Sequence, residues 1–264
     1  MTGVWTSIAR GAVGAVVATA VMGGLSGTAR AAGAEAPRGD WSYMVGGGAA
    51  YVPKYEGAKT MKVAPVPLVD VTWKDTVFLG AKGLGAKTTL FDHLTLGGSV
   101  GYQAGRKEKD HSRLKGLGDV KDAAAGSLFA SYGLGIVSFD LSATKDFGGS
   151  NGLTVNAGLG LSYPVTERLS LTSGVSATWA DERHMRANFG VSAAQAKASG
   201  LAAYKAESGI KRFDVTVGAN WMVTESWFVT ANGGVGILTG DAKKSPVVVE
   251  KIQPMAMVGV GYRF

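Results

Sequence analysis

The carboxy-terminal segment Gln253–Phe264 constrains the fold most strongly, because apolar residues alternate in it with small or polar ones up to the last position. Its apolar alternate positions are Ala256, Val258, Val260, Tyr262 and Phe264. Side chains two residues apart lie on one face of a strand, so the alternation predicts a strand with a single apolar face. A terminal aromatic residue on such a strand is typical of the signal by which Gram-negative outer-membrane barrels are recognised. We therefore predict that Tyr262 and Phe264 form an assembly signal read by the barrel-assembly machinery.

The same two-residue period recurs along the chain. It is found in Val137–Phe147, Leu153–Tyr163, Leu169–Trp179, Phe213–Val223 and Trp227–Ile237. Segments of about ten residues suit tilted strands that cross ~25–30 Å of hydrocarbon. The polar face consists of Ser, Thr, Gly, Asn and Asp, which favours a narrow hydrated lumen over a β-sandwich core. Aromatic residues at the strand ends are typical of interfacial girdles. These patterns predict an all-β, transmembrane antiparallel β-barrel of the outer-membrane type.

The amino-terminal residues predict export. Arg10 precedes the apolar stretch Gly11–Leu25, and Ala29–Ala31 fits a signal-peptidase site. We expect a signal peptide at 1–31, a short periplasmic segment at 32–40 and the barrel at 41–264, located in the outer membrane of a Gram-negative bacterium. The absence of cysteine from the sequence agrees with an exported protein that lacks disulfides. No stretch after residue 31 approaches 18 uninterrupted apolar residues, which excludes a helical membrane protein.

Connection lengths predict the strand number. Short connections are expected at the periplasmic side and long polar ones, such as Gly105–Lys121 and Ala180–Lys205, at the extracellular side. Because periplasmic turns must be separated by an even number of strands, Thr76–Leu90 must form a short hairpin. The count is then about twelve strands, with ten as the alternative. Pro65 and Pro67 interrupt a further strand, and we expect a local bulge there.

No catalytic, cofactor-binding or metal-binding residues are predicted. Gly97–Gly101 matches G-x-S-x-G, but it lies within a predicted strand rather than a strand–turn–helix. The best candidate base, His184, has no evident serine partner, and we interpret it as an exposed loop residue. We therefore expect no enzyme activity, no cofactor and no nucleic-acid partner.

Two sets of residues are candidates for binding. The long loop Gly105–Asp122 is rich in basic residues, and docking on lipid or lipopolysaccharide phosphates is one interpretation, a solvated loop the other. Its candidate contacts are Arg106, Lys107, Lys109, Arg113 and Lys115. Candidate lumen-lining residues are Asp140, Asp214, Thr216, Asn220, Thr230 and Asn232. Ser192 and Gln195 form a capping-box pattern followed by Gly200, which predicts a short helix over or inside the lumen.

The mature chain resembles the MipA/OmpV family, the MltA-interacting outer-membrane proteins. The resemblance rests on Pro53–Ala58, Gly105–Arg106, Arg113–Asp119, Ser176–Asp181, Phe189–Ala196, Ser199–Leu201 and Tyr262–Phe264. It implies a non-enzymatic barrel that links a lytic transglycosylase to a peptidoglycan synthase. Other members resemble surface antigens, adhesins or porin-like proteins. His184 departs from the tyrosine that members often carry before the methionine.

The sequence therefore leaves two main hypotheses for the function open. As a scaffold, the protein would contact murein-remodelling enzymes through its periplasmic turns and residues 32–40, but turns of a few residues are smaller than the ~800 Å² per partner of a stable interface. As a small porin-like channel, it would pass solutes through a lumen that ten to twelve strands leave narrow. A surface antigen or adhesin is a further alternative.

Overall fold

The computed structural model describes residues 40–264, so the predicted signal peptide and nearly all of the segment 32–40 lie outside the described residues. The chain forms a closed antiparallel barrel of twelve strands in sequence order, with β1 paired to β12. The strands are β1 (Trp41–Pro53), β2 (Met61–Trp73), β3 (Val77–Gly80), β4 (Gly83–Leu90), β5 (Leu94–Gln103), β6 (Ala123–Leu134), β7 (Val137–Gly148), β8 (Leu153–Pro164), β9 (Leu169–Ala180), β10 (Gly209–Met222), β11 (Trp227–Leu238) and β12 (Ile252–Arg263). The fold prediction is confirmed, with twelve strands rather than ten.

The strands alternate as the two-residue period predicts. On β10, the side chain of Val217 is 61% exposed on the outer surface, whereas Asp214 is only 3% exposed. The same alternation places Val258 and Val260 of β12 on the outer surface and Met257 on the inner face, where it is buried. The outer surface is therefore apolar, as a lipid environment requires.

Short and long connections lie at opposite ends of the barrel. The end with only short connections, here the turn end, carries residues 74–76, 91–93, 135–136, 165–168 and 223–226 together with both strand termini Trp41 and Arg263. Aromatic rings cluster here beside the β1–β12 seam: Trp41 stacks on Tyr43 at 5.8 Å between centroids, and Phe264 packs edge-on against Tyr262 at 4.8 Å.

The opposite end, here the loop end, carries all the helices of the described chain. They are α1 (Glu182–Phe189), α2 (Ala193–Ser199), α3 (Gly240–Lys244) and two 3₁₀ turns, Glu108–Asp110 and Ser112–Leu114. The prediction for α2 is confirmed in detail: Ser192 and Gln195 form a capping box, and Gly200 ends the helix in the left-handed region at φ 74°. Helix α1 was not predicted. No helix among residues 40–264 is long and apolar enough to cross a membrane.

The expected bulge at Pro65 and Pro67 is wrong. Strands β1 and β2 pair in unbroken register from Trp41–Trp73 to Pro53–Met61. The prolines are accommodated differently, because β3 pairs with β2 only at Val71–Trp73. The rest of β2 has no strand on that side, so the prolines lie on a free edge, the other position that proline tolerates.

The interior of the barrel is apolar on one side, contrary to the expected uniformly polar lumen. Ala50, Val52, Leu68, Phe228 and Met257 form a buried cluster on the inner faces of β1, β2, β11 and β12. The inner faces of β7 to β9 are polar: Asp140 accepts hydrogen bonds from Ser131 and Ser138, and Asn156 donates to Thr178. The lumen is thus a packed core along one wall and a hydrogen-bonded surface along the other.

Candidate functional site

Four connections fold together over the loop end and form what we call the cap, consisting of residues 54–60, 104–122, 181–208 and 239–251. Its core contains Tyr55, Ala58, Leu114, Leu117, Val191 and Val247, all buried. A second apolar cluster joins α1 and α3 to the strand ends through Met185, Phe189, Ala206, Leu238 and Ala242. The cap is therefore a small folded unit with its own core.

Specific backbone and side-chain contacts fix the cap. Gly57 has φ 97°, and its N–H donates to Gln253 Oε1 at 3.0 Å, while Gln253 Nε2 donates to the carbonyl of Ala58 at 3.2 Å. Gly116 has φ 85°, and a Cβ atom there would lie 2.6 Å from the backbone of Ala198 in α2. Both glycines are required by a positive φ and by close approach, so the cap tolerates no side chain at these positions.

A buried cluster of charges joins the cap to the wall. The register between β9 and β10 shifts between Ile210 and Arg212, and this bulge places the side chains of both Lys211 and Arg212 inside. Both reach Glu56 of the first loop: Lys211 Nζ lies 2.9 Å from Glu56 Oε2, and Arg212 Nη1 lies 3.2 Å from Glu56 Oε1. Arg212 Nε also donates to Asp214 Oδ2 at 2.9 Å. Two cations and two carboxylates thus balance each other with little exposure to solvent.

His184 of α1 completes this charge cluster. Its side chain is 9% exposed, and Nε2 lies 3.1 Å from Lys211 Nζ, so the expectation of an exposed loop histidine is wrong. Burial and the adjacent charge of Lys211 lower the pKa of His184 to about 3, which keeps the ring neutral and able to accept a hydrogen bond from Lys211. Burial alone would raise the pKa of Glu56, but the charges of Lys211 and Arg212 lower it to about 2.

The chemistry of the charge cluster indicates a structural role, in which ion pairs hold the cap against the barrel wall. The contact of His184 is an ammonium group rather than a serine hydroxyl, and the hydroxyl of Ser99 on β5 is buried without a hydrogen-bond partner. Within residues 40–264, no group of three or more His, Asp or Glu side chains is placed to hold a metal ion. Buried, paired charges at this position tie the first loop and α1 to β10.

The candidate lipid contacts fall into three groups. Lys107, Lys109 and Lys115 are exposed, and Lys109 and Lys115 border a surface depression of about 400 Å³. Arg113 is exposed but donates from Nε and Nη2 to the carbonyl of Pro246, at 3.1 and 2.6 Å. Arg106 is 9% exposed and donates to the carbonyl of Asn188, so it is not accessible to a surface lipid and instead fastens the cap.

The candidate lumen residues all lie on inner faces, but they differ in what they contact. Asp214 belongs to the buried charge cluster, and Asn232 donates to the fully buried Thr230. Asp140 is bonded to two serines on the polar wall. Thr216 and Asn220 are partly buried on β10, and Asn220 Oδ1 has no hydrogen-bond partner among the described residues.

Sequence reasoning missed Glu56, Lys211 and Arg212 as a site. The available signal was the pair of consecutive basic residues at the start of β10, which breaks the alternation and is costly inside a barrel unless carboxylates are nearby.

A closed twelve-stranded barrel with an apolar outer surface and a folded cap defines an outer-membrane β-barrel protein. The family model described as MltA-interacting protein MipA matches residues 45–264, and the chain belongs to this family. No curated protein matches it.

Solved structures of other barrels are similar at low sequence identity. A loop-deletion mutant of OmpT, an outer membrane protein of Vibrio cholerae, is 9% identical with a TM-score of 0.41, over 85% of this chain and 98% of that one. The outer membrane channel DcaP of Acinetobacter baumannii is 9% identical with a TM-score of 0.41, over 87% and 99%. The translocator domain of the autotransporter NalP from Neisseria meningitidis is 13% identical with a TM-score of 0.41, over 88% and 91%.

Proposed function

We propose that the protein is a non-enzymatic outer-membrane scaffold that holds a murein-remodelling enzyme, such as a lytic transglycosylase, at the inner surface of the membrane and brings it near a peptidoglycan synthase. The family to which the chain belongs is described as interacting with MltA. The observation that carries the proposal is the cap: its loops share one apolar core at the loop end, and its buried charges tie the first loop to the inner wall of β10. A barrel capped in this way is better suited to holding a partner than to passing solutes.

The turn end would be the docking surface. Its turns are short, so the partner must also contact residues 32–40 and the aromatic side chains beside the turns. Phe91 is 88% exposed, Phe264 is 73% exposed and Trp41 is 50% exposed. Apolar rings at a rim that faces the periplasm would suit a partner that is itself bound to the membrane, because both partners then lie at the same interface.

Site-specific crosslinking tests the scaffold. A photoreactive amino acid at Glu167 or Glu225, both in turns, should capture a lytic transglycosylase in living cells, and the same group at Ser112 or Lys197, both in the cap, should not. Impermeant labelling of cysteines at Ser112 and Lys197, but not at Glu225, would establish the expected orientation. Capture from the cap positions alone, or of no murein enzyme from any position, would refute the scaffold.

A small channel is the second candidate, favoured by the polar inner faces of β7 to β9. Single-channel recording of the purified barrel in planar bilayers separates the two functions. We expect no steady conductance for the native protein. Stable open channels at neutral pH would show that the cap does not close the lumen and would favour the channel.

Tyr262 and Phe264 remain the proposed assembly signal. Deletion of Phe264 should lower the amount of folded, heat-modifiable barrel in the membrane fraction and leave precursor for degradation. Normal insertion of the deletion variant would contradict this role.

A further inference from the structure

The barrel wall is incomplete between β2 and β5. The hairpin β3–β4 is much shorter than its neighbours: β3 pairs with β2 only at Val71–Trp73, and β4 pairs with β5 only as far as Val100. On the loop side of the hairpin, residues 61–68 of β2 therefore have no strand partner on this edge. We call this opening in the wall the gap.

The backbone of β2 is adapted to this gap. The N–H of Lys54 donates to Thr60 O and that of Lys74 to Asp40 O, so the even-numbered residues of β2 form the hydrogen-bonded pairs with β1. Because such pairs alternate in an antiparallel ladder, the odd-numbered residues direct their backbone groups into the gap. Two of them are Pro65 and Pro67, which have no N–H. The prolines remove donors that lipid could not satisfy, and they prevent another strand from pairing there.

The dimensions of the gap correspond to one leaflet. Eight residues at ~3.3 Å each, tilted by about 40°, give a height of roughly 20 Å, enough to cross the ~15 Å hydrocarbon half-thickness of a bilayer and reach the headgroup region. The two missing strand rows give a width of about 10 Å. The gap begins beside the hairpin tip, where Gly80 lies next to Asp70, and it extends to the loop end.

The β2 side of the gap is apolar along its length and basic at its loop end. On its outer side, Val63 is 70% exposed beside the rings of the two prolines. On its inner side, Val66 and Leu68 belong to the apolar cluster of the lumen. An acyl chain that enters the gap therefore meets apolar side chains from both directions.

Lysines supply the charge at the loop end of β2. Lys54, Lys59 and Lys62 lie within nine residues of each other. Lys62 Nζ donates to the carbonyl of Lys54 at 3.2 Å, and none of the three forms an ion pair with another residue in the range 40–264. The three cations lie where the phosphate of a lipid in the adjacent leaflet would be found, although the carboxylate of Asp110 is near enough for its charge to act on Lys62.

We infer that the gap is a binding site for an anionic, phosphate-bearing lipid of the leaflet at the loop end, with an acyl chain along Pro65 and Pro67 and the phosphate beside Lys59 and Lys62; phosphatidylglycerol serves as the probe for it. The site is independent of the proposed scaffold function, because it lies in the wall at the opposite end from the turns.

Fluorescence quenching by brominated lipids tests this site. The sequence has no cysteine, so a single cysteine can carry a small fluorophore. The test position is Val66→Cys, on the inner face beside the gap, and the matched control is Thr216→Cys, on an inner face where β9 and β11 complete the wall. We expect loss of fluorescence at position 66 and none at 216 in vesicles of brominated phosphatidylglycerol, with weaker loss in brominated phosphatidylcholine. The double variant Lys59→Gln/Lys62→Gln should lose the preference for phosphatidylglycerol.

Two results would overturn the inference. Equal fluorescence at positions 66 and 216 would mean that acyl chains do not enter the gap. Equal quenching by the two lipids, or an unchanged preference in the double lysine variant, would refute the anionic headgroup. Heat-modifiable migration verifies that each variant is folded, and Ala64→Cys replaces Val66→Cys if the latter does not fold.

Discussion

The wall and the cap are built by different rules. In the wall, each strand contacts its sequence neighbours, and side chains alternate between lipid and lumen. In the cap, the important contacts join residues far apart in sequence: Tyr55 donates to Val247 O across 192 positions, and Arg212 to Glu56 across 156. Segments that carry the family resemblance, such as Pro53–Ala58, Arg113–Asp119 and Phe189–Ala196, lie mainly in the cap. The wall therefore reflects what a bilayer demands of any barrel, and the cap is what distinguishes this one.

Acidification should produce the largest difference in stability between the wall and the cap. His184 has its pKa lowered from 6.5 to about 3, so its contribution to cap stability is present above pH 6.5 and is lost as the pH falls towards 3. Glu56, lowered from 4.5 to about 2, adds a loss below pH 4.5. The drop for His184 corresponds to on the order of 5 kcal/mol. Spin labels at Lys59 and Lys197 should show broadened distances at pH 3, while labels at Glu167 and Glu225 should not. In His184→Gln the broadening should begin only below pH 4.5.

Removal of the Glu56 carboxylate should have the second largest effect on the stability of the cap. Glu56→Gln leaves Lys211 and Arg212 buried without their shared partner, at a cost of about 3–5 kcal/mol to the cap. Hydrogen exchange in α1 and in residues 104–122 should rise, with little change in the strands. The control Glu182→Gln breaks a solvent-exposed ion pair with Arg186 and should cost about 0–1 kcal/mol. Equal effects of the two variants would mean that the buried cluster does not hold the cap.

A charge on the lipid face should destabilise the wall without opening the cap. Val217→Arg, near the middle of β10, should cost ~2–4 kcal/mol of barrel stability, because the charge must enter hydrocarbon. Thr216→Arg, one residue away on the inner face, should cost less. Urea midpoints in lipid vesicles measure both. Equal losses would mean that the inner face is as intolerant of charge as the outer one.

The smallest effect should come from the helix cap of α2. Ser192 Oγ accepts the N–H of Gln195 at 3.2 Å, and its loss in Ser192→Ala should cost ~1 kcal/mol. Exchange should rise in α2 and in residues 114–117, because Gln195 Nε2 also donates to the carbonyl of Leu117. Ser192→Asp, which can still cap, should restore protection. An effect that reached the wall would contradict the separation of the two regions.

The sequence predicts the wall well because lipid enforces one simple period. Strand number, the face of each residue in β12 and in β10 from Phe213 onward, and the short hairpin all follow from alternation and connection length. Even α2 is predictable, since Ser192, Gln195 and Gly200 act within one helix. The apolar inner cluster around Leu68 was not predicted. Apolar residues on an inner face leave the apolar alternation of the outer face unchanged, so that alternation gives no indication of them.

The charge cluster was also missed, for a different reason. Glu56 contacts Lys211 and Arg212 only after the barrel closes, because closure brings the end of β1 and the start of β10 together at the loop end. The consecutive basic residues Lys211 and Arg212 indicate that a carboxylate lies nearby, but no pattern within that segment identifies Glu56 as the carboxylate. Arg106 was misassigned to the surface for the same reason: its partner, the carbonyl of Asn188, lies 82 positions away.

The bulge in β10 has a consequence for how the gene can vary. Lys211 is the extra residue between the pairs Ile210–Trp179 and Arg212–Thr178. Loss of its single codon would leave Ile210 outward and Arg212 inward, so the strand would become regular and its pairing with β9 continuous. Glu56 would keep one cation instead of two. An in-frame deletion of this codon would therefore leave the strands of the barrel unchanged and alter only the loops that contact the charge cluster. By this route the surface of such a protein can diverge while its membrane-spanning part is preserved.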